Sequence, residues 1–330
     1  MTRRGRSLSC ADAAGMGAVA AWLAWVLFMP LWTGRATPVD SPYVAAPLLL
    51  VGGVVAGRLL APLSRRWRVA EVVLLAAFTF LVASDLYANA QGAFGVQLVA
   101  LTGLMLLTGL AGRREGRQAV HLFAVGMAVI VIGVLLAARS DAAAILVLPT
   151  AILTALALGH RGGPPRGLTA LASTAMLALA TTTVGWLATL TVWPERLQAA
   201  RSLSQARHTL WGDALDLWRQ HPVTGAGPGS FREHSELAAW RPDLETVHSS
   251  VLQVGSELGL VGVLLFAAML LAGLAIAGQG NRAASLIGMV AWTALGVHSV
   301  IDHLYEFPVV TLTAGVVLGW ASSAPNRRQG

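Results

Sequence analysis

The chain is built from apolar runs of about twenty residues joined by short polar loops, and few folds can satisfy such a pattern. Ten runs are predicted, at 13–32, 43–63, 69–86, 93–112, 119–138, 142–159, 168–193, 251–278, 283–301 and 308–323. At 1.5 Å of rise per residue, and allowing for tilt, helices of this length cross about 30 Å of hydrocarbon. Backbone groups in lipid must find partners within the protein, so the runs are helices. The fold class expected is therefore all-α, a polytopic transmembrane bundle of about ten spans.

Composition agrees, because 55% of residues are hydrophobic and only 12% charged, with a mean hydropathy of +0.65. A soluble domain carries about 25% charged residues. The formal charge of +7 does not imply a nucleic-acid partner. Most of the arginines stand in short loops beside apolar spans, where membrane topology places them. With Cys10 as its single cysteine, the chain has no internal disulfide framework and no cysteine-based metal cluster. Arg3, Arg4 and Arg6 resemble the head of a signal peptide, but the apolar run that follows is long enough to be a retained span.

Arginine also sets the expected orientation. Arg65, Arg66 and Arg68, then Arg113, Arg114 and Arg117, then Arg161 and Arg166, Arg282, and finally Arg327 and Arg328 fall with the amino-terminal arginines at alternate span ends. The opposite short loops hold only Arg35 and Arg139, so both termini are expected in the cytoplasm. Glu71, Asp85, Arg139, His298 and Asp302 all lie near span ends, whereas ion-coupled transporters usually place such groups near the midplane. The chain has no GxxxxGK[ST] phosphate loop and hence no built-in ATPase motif.

The exception to the apolar pattern is the stretch 194–250, which holds six arginines and four histidines. It divides the chain into helices at 1–193, a long, partly helical extracytoplasmic loop between spans 7 and 8, and helices with a cytoplasmic tail at 251–330. From Ser204 to Gln220 apolar residues recur at helical spacing, with Trp211, Leu215 and Trp218 on one face and Arg207 a turn before Trp211. Such a helix either lies on the outer leaflet or packs against the spans. His221 and Pro222 end it. Gly225, Gly227 and Gly229 follow, and turns of this kind point N–H groups at an anion or serve as plain turns. His248 stands where the chain re-enters the membrane.

These residues, taken in order, resemble the O-antigen ligase and polymerase family of bacterial polysaccharide assembly. Arg139-Ser140 is similar to its Ser-Arg-small segment, with Ala138 in place of the first Ser. Arg207 and Trp211 fit an Arg-x-x-x-Leu element with Trp for Leu, and the stretch Pro222 to Gly227 fits Pro-Leu-x-Gly-x-Gly. His248 to Gly259 fits His-x10-Gly, and His298 to Asp302 fits His-x-x-x-Asp.

The resemblance implies glycan transfer from an undecaprenyl-diphosphate-linked donor to a glycan, lipid or protein acceptor, in the cytoplasmic membrane of a bacterium and with no cofactor. Departure of the lipid diphosphate develops negative charge, which arginine neutralises with planar, bidentate hydrogen bonds. Arg139 and Arg207 are candidates for that role. An acceptor hydroxyl must lose a proton, and histidine takes protons near neutral pH. His248 is the candidate base, or alternatively a ligand to the diphosphate. Asp302 orients His248 or binds sugar, and Gly225, Gly227 and His298 complete the expected substrate-binding set. His234, His248, His298, His303 and Asp302 all fall on the outer side, but at no spacing of a known zinc motif, so no metal is expected. The competing function is a flippase or secondary transporter of lipid-linked glycan, which needs a polar central cavity and gains little from a long loop.

Overall fold

The computed structural model describes residues 8–66, 86–109, 140–160, 163–195 and 204–324. Everything regular among them is helical, and seven helices are long and apolar enough to cross a membrane. The principal elements are α1 (Cys10–Phe28), α2 (Pro30–Thr33), α3 (Pro42–Leu60), α4 (Ala88–Gly109), α5 (Asp141–His160) and α6 (Arg166–Thr189). They are followed by α7 (Gln205–Gln220), α8 (Ser230–His234), α9 (Glu236–Trp240), α10 (Ser250–Ala277), α11 (Arg282–Val300) and α12 (Pro308–Ser323). The expected spans at 69–86 and 119–138 lie outside the described residues apart from Leu86.

Helix ends follow local chemistry. Ser9 and Asp12 form a reciprocal capping box at α1, and Asn281 caps α11 through Ala284 N at 2.9 Å. The seventh span stops at Thr189, short of the 193 expected. Trp193 turns back there, is buried, and donates from its indole to Leu187 O at 2.9 Å. Pro149 does not interrupt α5, which runs through it. Small residues decide the closest helix pair, α3 with α12. A side chain at Gly53 or Gly57 would overlap the Leu312 or Val316 carbonyl, and one at Gly315 or Gly319 the Leu50 or Val54 carbonyl. Spacing of four on both helices brings the backbones into contact, where dispersion and not water exclusion holds helices in lipid.

The amphipathic helix of the long segment, α7, packs on protein. Arg207, Leu210, Trp211, Ala214 and Leu217 are its buried residues. Trp218 lies against Gly255 of α10, where a Cβ would strike its ring. Of the two arrangements open from sequence, the chain adopts packing against the spans.

Helix α10 is the element that departs most from expectation. Gly259 has φ 69° and ψ −169°, which splits the helix into a half-helix of nine residues, Ser250–Leu258, and a longer apolar part. The first half is buried throughout. From residue 260 to 277 the second half rises about 27 Å, enough to span. The break leaves N–H and C=O groups without helical partners, and the glycine-rich turn supplies replacements. Leu260 N donates to Pro222 O at 3.0 Å and Val261 N to Val223 O at 3.3 Å. In return Ala226 N donates to Ser256 O at 3.0 Å and Gly227 N to Glu257 O at 2.9 Å. Buried backbone groups freed by such a break persist only when protein satisfies them in this way.

Candidate active site

The site is assembled by short segments where helices end. Asp302 follows the last turn of α11 and is fully buried. Its main-chain carbonyl accepts both the backbone N–H and the hydroxyl of Ser250, each at 3.0 Å, which locks it to the start of α10. His248 stands two residues before that start. It is the one non-glycine residue with positive φ among the described residues, at 52°. That backbone is uncommon for a side-chain-bearing residue, and such strain persists where surroundings over-determine it. Here Trp211 donates to the His248 carbonyl at 3.4 Å, and Gln253 accepts from Val247 N at 2.8 Å.

Asp302 is the hub. Its Oδ1 accepts from His248 Nδ1 at 3.2 Å and from the main-chain N–H of His303 at 2.9 Å, and lies 2.7 Å from His303 Nδ1. Its Oδ2 accepts from Arg207 at 3.3 Å and from the Asn89 amide. Burial pushes the Asp302 carboxyl up, but hydrogen bonds from His248 and His303 and the charge of Arg207 hold it well below the usual range. Burial works against charge on His303 too, and the Asp302 carboxylate outweighs it, so His303 is raised. The other nitrogen of His248, Nε2, is buried with no partner among the described residues.

Three of the residues expected from sequence, Arg207, His248 and Asp302, thus meet at one carboxylate. His298 is buried one turn below, and neither of its ring nitrogens bonds to the cluster. Arg139 lies outside the described residues, though its neighbour Ser140 is buried and accepts from Ala143 N at 3.2 Å. Gly225 N donates to His221 O at 3.0 Å and Gly227 N to Glu257 O, so neither N–H faces an anion. His234 is exposed on α8 and apart from this group. Ring nitrogens of His248 and His303 and a carboxylate oxygen of Asp302 lie within 4.8 Å of one another, the grouping among the described residues that could hold a metal.

Sequence reasoning missed Asn89 and Tyr87, at the start of α4, and the structural part played by Glu257. The Glu257 carboxylate accepts from Tyr43 at 2.7 Å, Gly229 N at 3.0 Å, Phe231 N at 3.2 Å and Gln253 at 3.0 Å. It ties the glycine-rich turn and α8 to the half-helix. Its signal was present as an acidic residue within an apolar run, the pattern that calls for a buried partner set.

A cavity of about 70 Å³ opens beside the cluster, lined by Tyr43, Ser250, Gln253, Trp292, Tyr305 and Glu306 among others. Burial raises Glu306 to about 7, with Glu257, Asp302 and Glu245 adding to the rise and His303 opposing it. A raised carboxyl stabilises the folded state below its unfolded value of 4.5 and loses that contribution as pH rises through 7. Glu306→Gln is therefore expected to match wild-type stability near pH 4.5 and to exceed it above pH 7, by on the order of 3 kcal/mol. Thermal melting of both proteins in detergent across this range measures the difference, and a constant offset would refute it.

The sequence profile of the O-antigen ligase family matches residues 95–267. That stretch takes in Arg207, the glycine-rich turn and His248, and stops short of Asp302. No curated protein matches the chain. A profile match over half of the sequence, on a bundle of membrane-spanning helices, places this multi-pass membrane protein: the chain belongs to the O-antigen ligase family.

Proposed function

We propose that the chain transfers a glycan from an undecaprenyl-diphosphate-linked donor to an acceptor hydroxyl on the outer face of the bacterial cytoplasmic membrane. The observation that carries this reading is the His248–Asp302–Arg207 arrangement, with His248 Nδ1 on the carboxylate and Nε2 buried and unpartnered among the described residues. A carboxylate that accepts from Nδ1–H fixes the tautomer in which Nε2 carries the lone pair. The acceptor oxygen forms a bond to the anomeric carbon and its proton passes to Nε2. The bond from that carbon to the phosphate oxygen breaks, and its electron pair leaves on undecaprenyl diphosphate. Arg207, held by the same carboxylate, stands ready to neutralise the charge that develops there. Because a guanidinium supplies that charge, the reaction needs no divalent ion.

The test is to incubate the purified protein with an undecaprenyl-diphosphate-linked oligosaccharide, with and without EDTA, and to resolve the products. A ladder of lengthened glycans identifies a polymerase, and a single conjugate to another acceptor identifies a ligase. Unchanged glycan that crosses a vesicle bilayer would overturn the reading in favour of transport. Activity is expected to survive EDTA. Loss on chelation with recovery on adding a divalent cation would instead make His248, Asp302 and His303 metal ligands.

A further inference from the structure

The cluster around Asp302 has an aromatic flank that the transfer step does not use. Tyr87 stands immediately before α4 and is 41% exposed, at the edge of a group whose other members are largely buried. Its ring packs on His303 at 5.8 Å between centroids and 27° between planes, and on Phe307 at 6.0 Å and 16°. The His248 ring lies 6.3 Å away. At the hydroxyl end Asn89 approaches to 3.3 Å, and Arg207 interacts with the same hydroxyl. One side of the ring is thus fixed by the site, while the residue keeps a large surface open.

An aromatic face bordered by an amide and charged groups is chemically suited to a pyranose. The C–H face of the sugar covers the ring, and its equatorial hydroxyls reach the polar groups at the rim. Position selects which sugar. Arg207 takes the diphosphate in the proposed reaction, and the first sugar of the donor is bonded directly to that phosphate. It must therefore lie within about one ring's width of the guanidinium, and Tyr87 borders both Arg207 and His248. An ordinary interfacial tyrosine, by contrast, anchors a helix to headgroups without packing against the rings of a buried polar cluster.

We propose that Tyr87, backed by His303 and Phe307 and flanked by Asn89, is the platform on which the donor's first sugar lies. The proposal rests on the glycan-transfer reading and names where that reading places the sugar.

Two probes separate the sugar from the lipid: undecaprenyl diphosphate, and the same lipid bearing one N-acetylglucosamine. Their dissociation constants are measured for the full-length wild type, Tyr87→Leu and Tyr87→Trp in nanodiscs. The wild type is expected to bind the sugar-bearing lipid roughly threefold to tenfold tighter than the bare one, the range of an aromatic packing contribution. That ratio should fall to about one in Tyr87→Leu, which keeps apolar bulk without a ring, and persist in Tyr87→Trp. Affinity for the bare lipid should be the same in all three. A ratio unaffected by Tyr87→Leu, a wild type without preference, or an equal loss for both lipids would each overturn the platform. Failure of the wild type to bind either lipid would instead overturn the transfer reading beneath it.

Discussion

His248→Ala is expected to lower the rate of glycan transfer by about 10²–10⁴-fold, the contribution of a positioned general base, while the protein still folds. The magnitude follows from the geometry. Nε2 has no partner among the described residues, and Nδ1 is fixed by a carboxylate that also holds Arg207. Alanine removes the proton acceptor and leaves Asp302 bonded to Arg207, Asn89 and His303. Because His248 has φ 52°, His248→Asn is the better control for the backbone, since asparagine enters the left-handed region more readily than alanine. Neither variant can act as the base. The two roles open to His248 separate kinetically: loss of a base lowers kcat at unchanged KM for the donor, and loss of a diphosphate ligand raises KM. Arg207→Ala should cost about 10²–10³-fold in kcat by removing stabilisation of developing charge. Arg207→Lys should recover only part, because a point charge does not reproduce a planar fork. Near wild-type turnover in both His248→Ala and Arg207→Ala would remove the proposed site.

Hydropathy alone placed the seven membrane-length helices among the described residues, because the requirement for about twenty apolar residues with internal hydrogen bonds leaves little freedom. The helix end at Gln220 was legible for a local reason, since histidine and proline at 221 and 222 act within a few residues. Arg207, His248 and Asp302 were legible as chemistry, and Asp302 as one possible partner of His248, but the meeting of all three at one carboxylate was not. Asp302 lies 95 positions from Arg207 and 54 from His248, and no periodicity reports on such separations. Tyr87 and Asn89 were harder still, because each reads as a polar or amphipathic residue at a span end. The glycine-rich turn stood open from sequence as either an anion cradle or a plain turn. Positive φ at Gly225 and Gly227 is real, at 74° and 99°. The N–H groups of Ala226 and Gly227 meet carbonyls of the broken helix α10, and that of Gly225 meets the His221 carbonyl. Sequence announces that a backbone must turn, and only the fold reveals what the turned N–H groups meet.

Gly259→Ala is expected to destabilise the protein by at least about 3 kcal/mol and to prevent accumulation of the folded form where stability is marginal. Two independent costs combine. The conformation at φ 69° and ψ −169° belongs to a region open essentially to glycine. A Cβ there would also overlap the Val223 carbonyl oxygen and Gly225 N, which are backbone atoms and cannot swing aside. Relief requires the glycine-rich turn to withdraw from α10. That withdrawal breaks the bonds from Leu260 and Val261 to Pro222 and Val223, and those from Ala226 and Gly227 to Ser256 and Glu257. Each buried group left without a partner costs about 1–3 kcal/mol. Gly225→Ala meets the same interface from the other side, where its Cβ would overlap the Glu257 carbonyl. The two substitutions should therefore be less than additive, since the first already separates what the second would force apart. Gly212→Ala is the control, because it lies in α7 with nothing within 4 Å of its Cβ and should be neutral or mildly stabilising. Thermal melting of the four variants in one detergent reads all of this at once. Additivity of the Gly225 and Gly259 changes, or a Gly259→Ala protein as stable as the control, would mean that the turn and the broken helix are not held together by the contacts described. Withdrawal of the turn would also pull on Glu257 through Gly229 and Phe231, and through the half-helix on Ser250 and the Asp302 carbonyl. A Gly259→Ala protein that does fold should accordingly lose transfer activity beyond its loss of folded fraction, which ties the stability of a helix break to the placement of the site carboxylate.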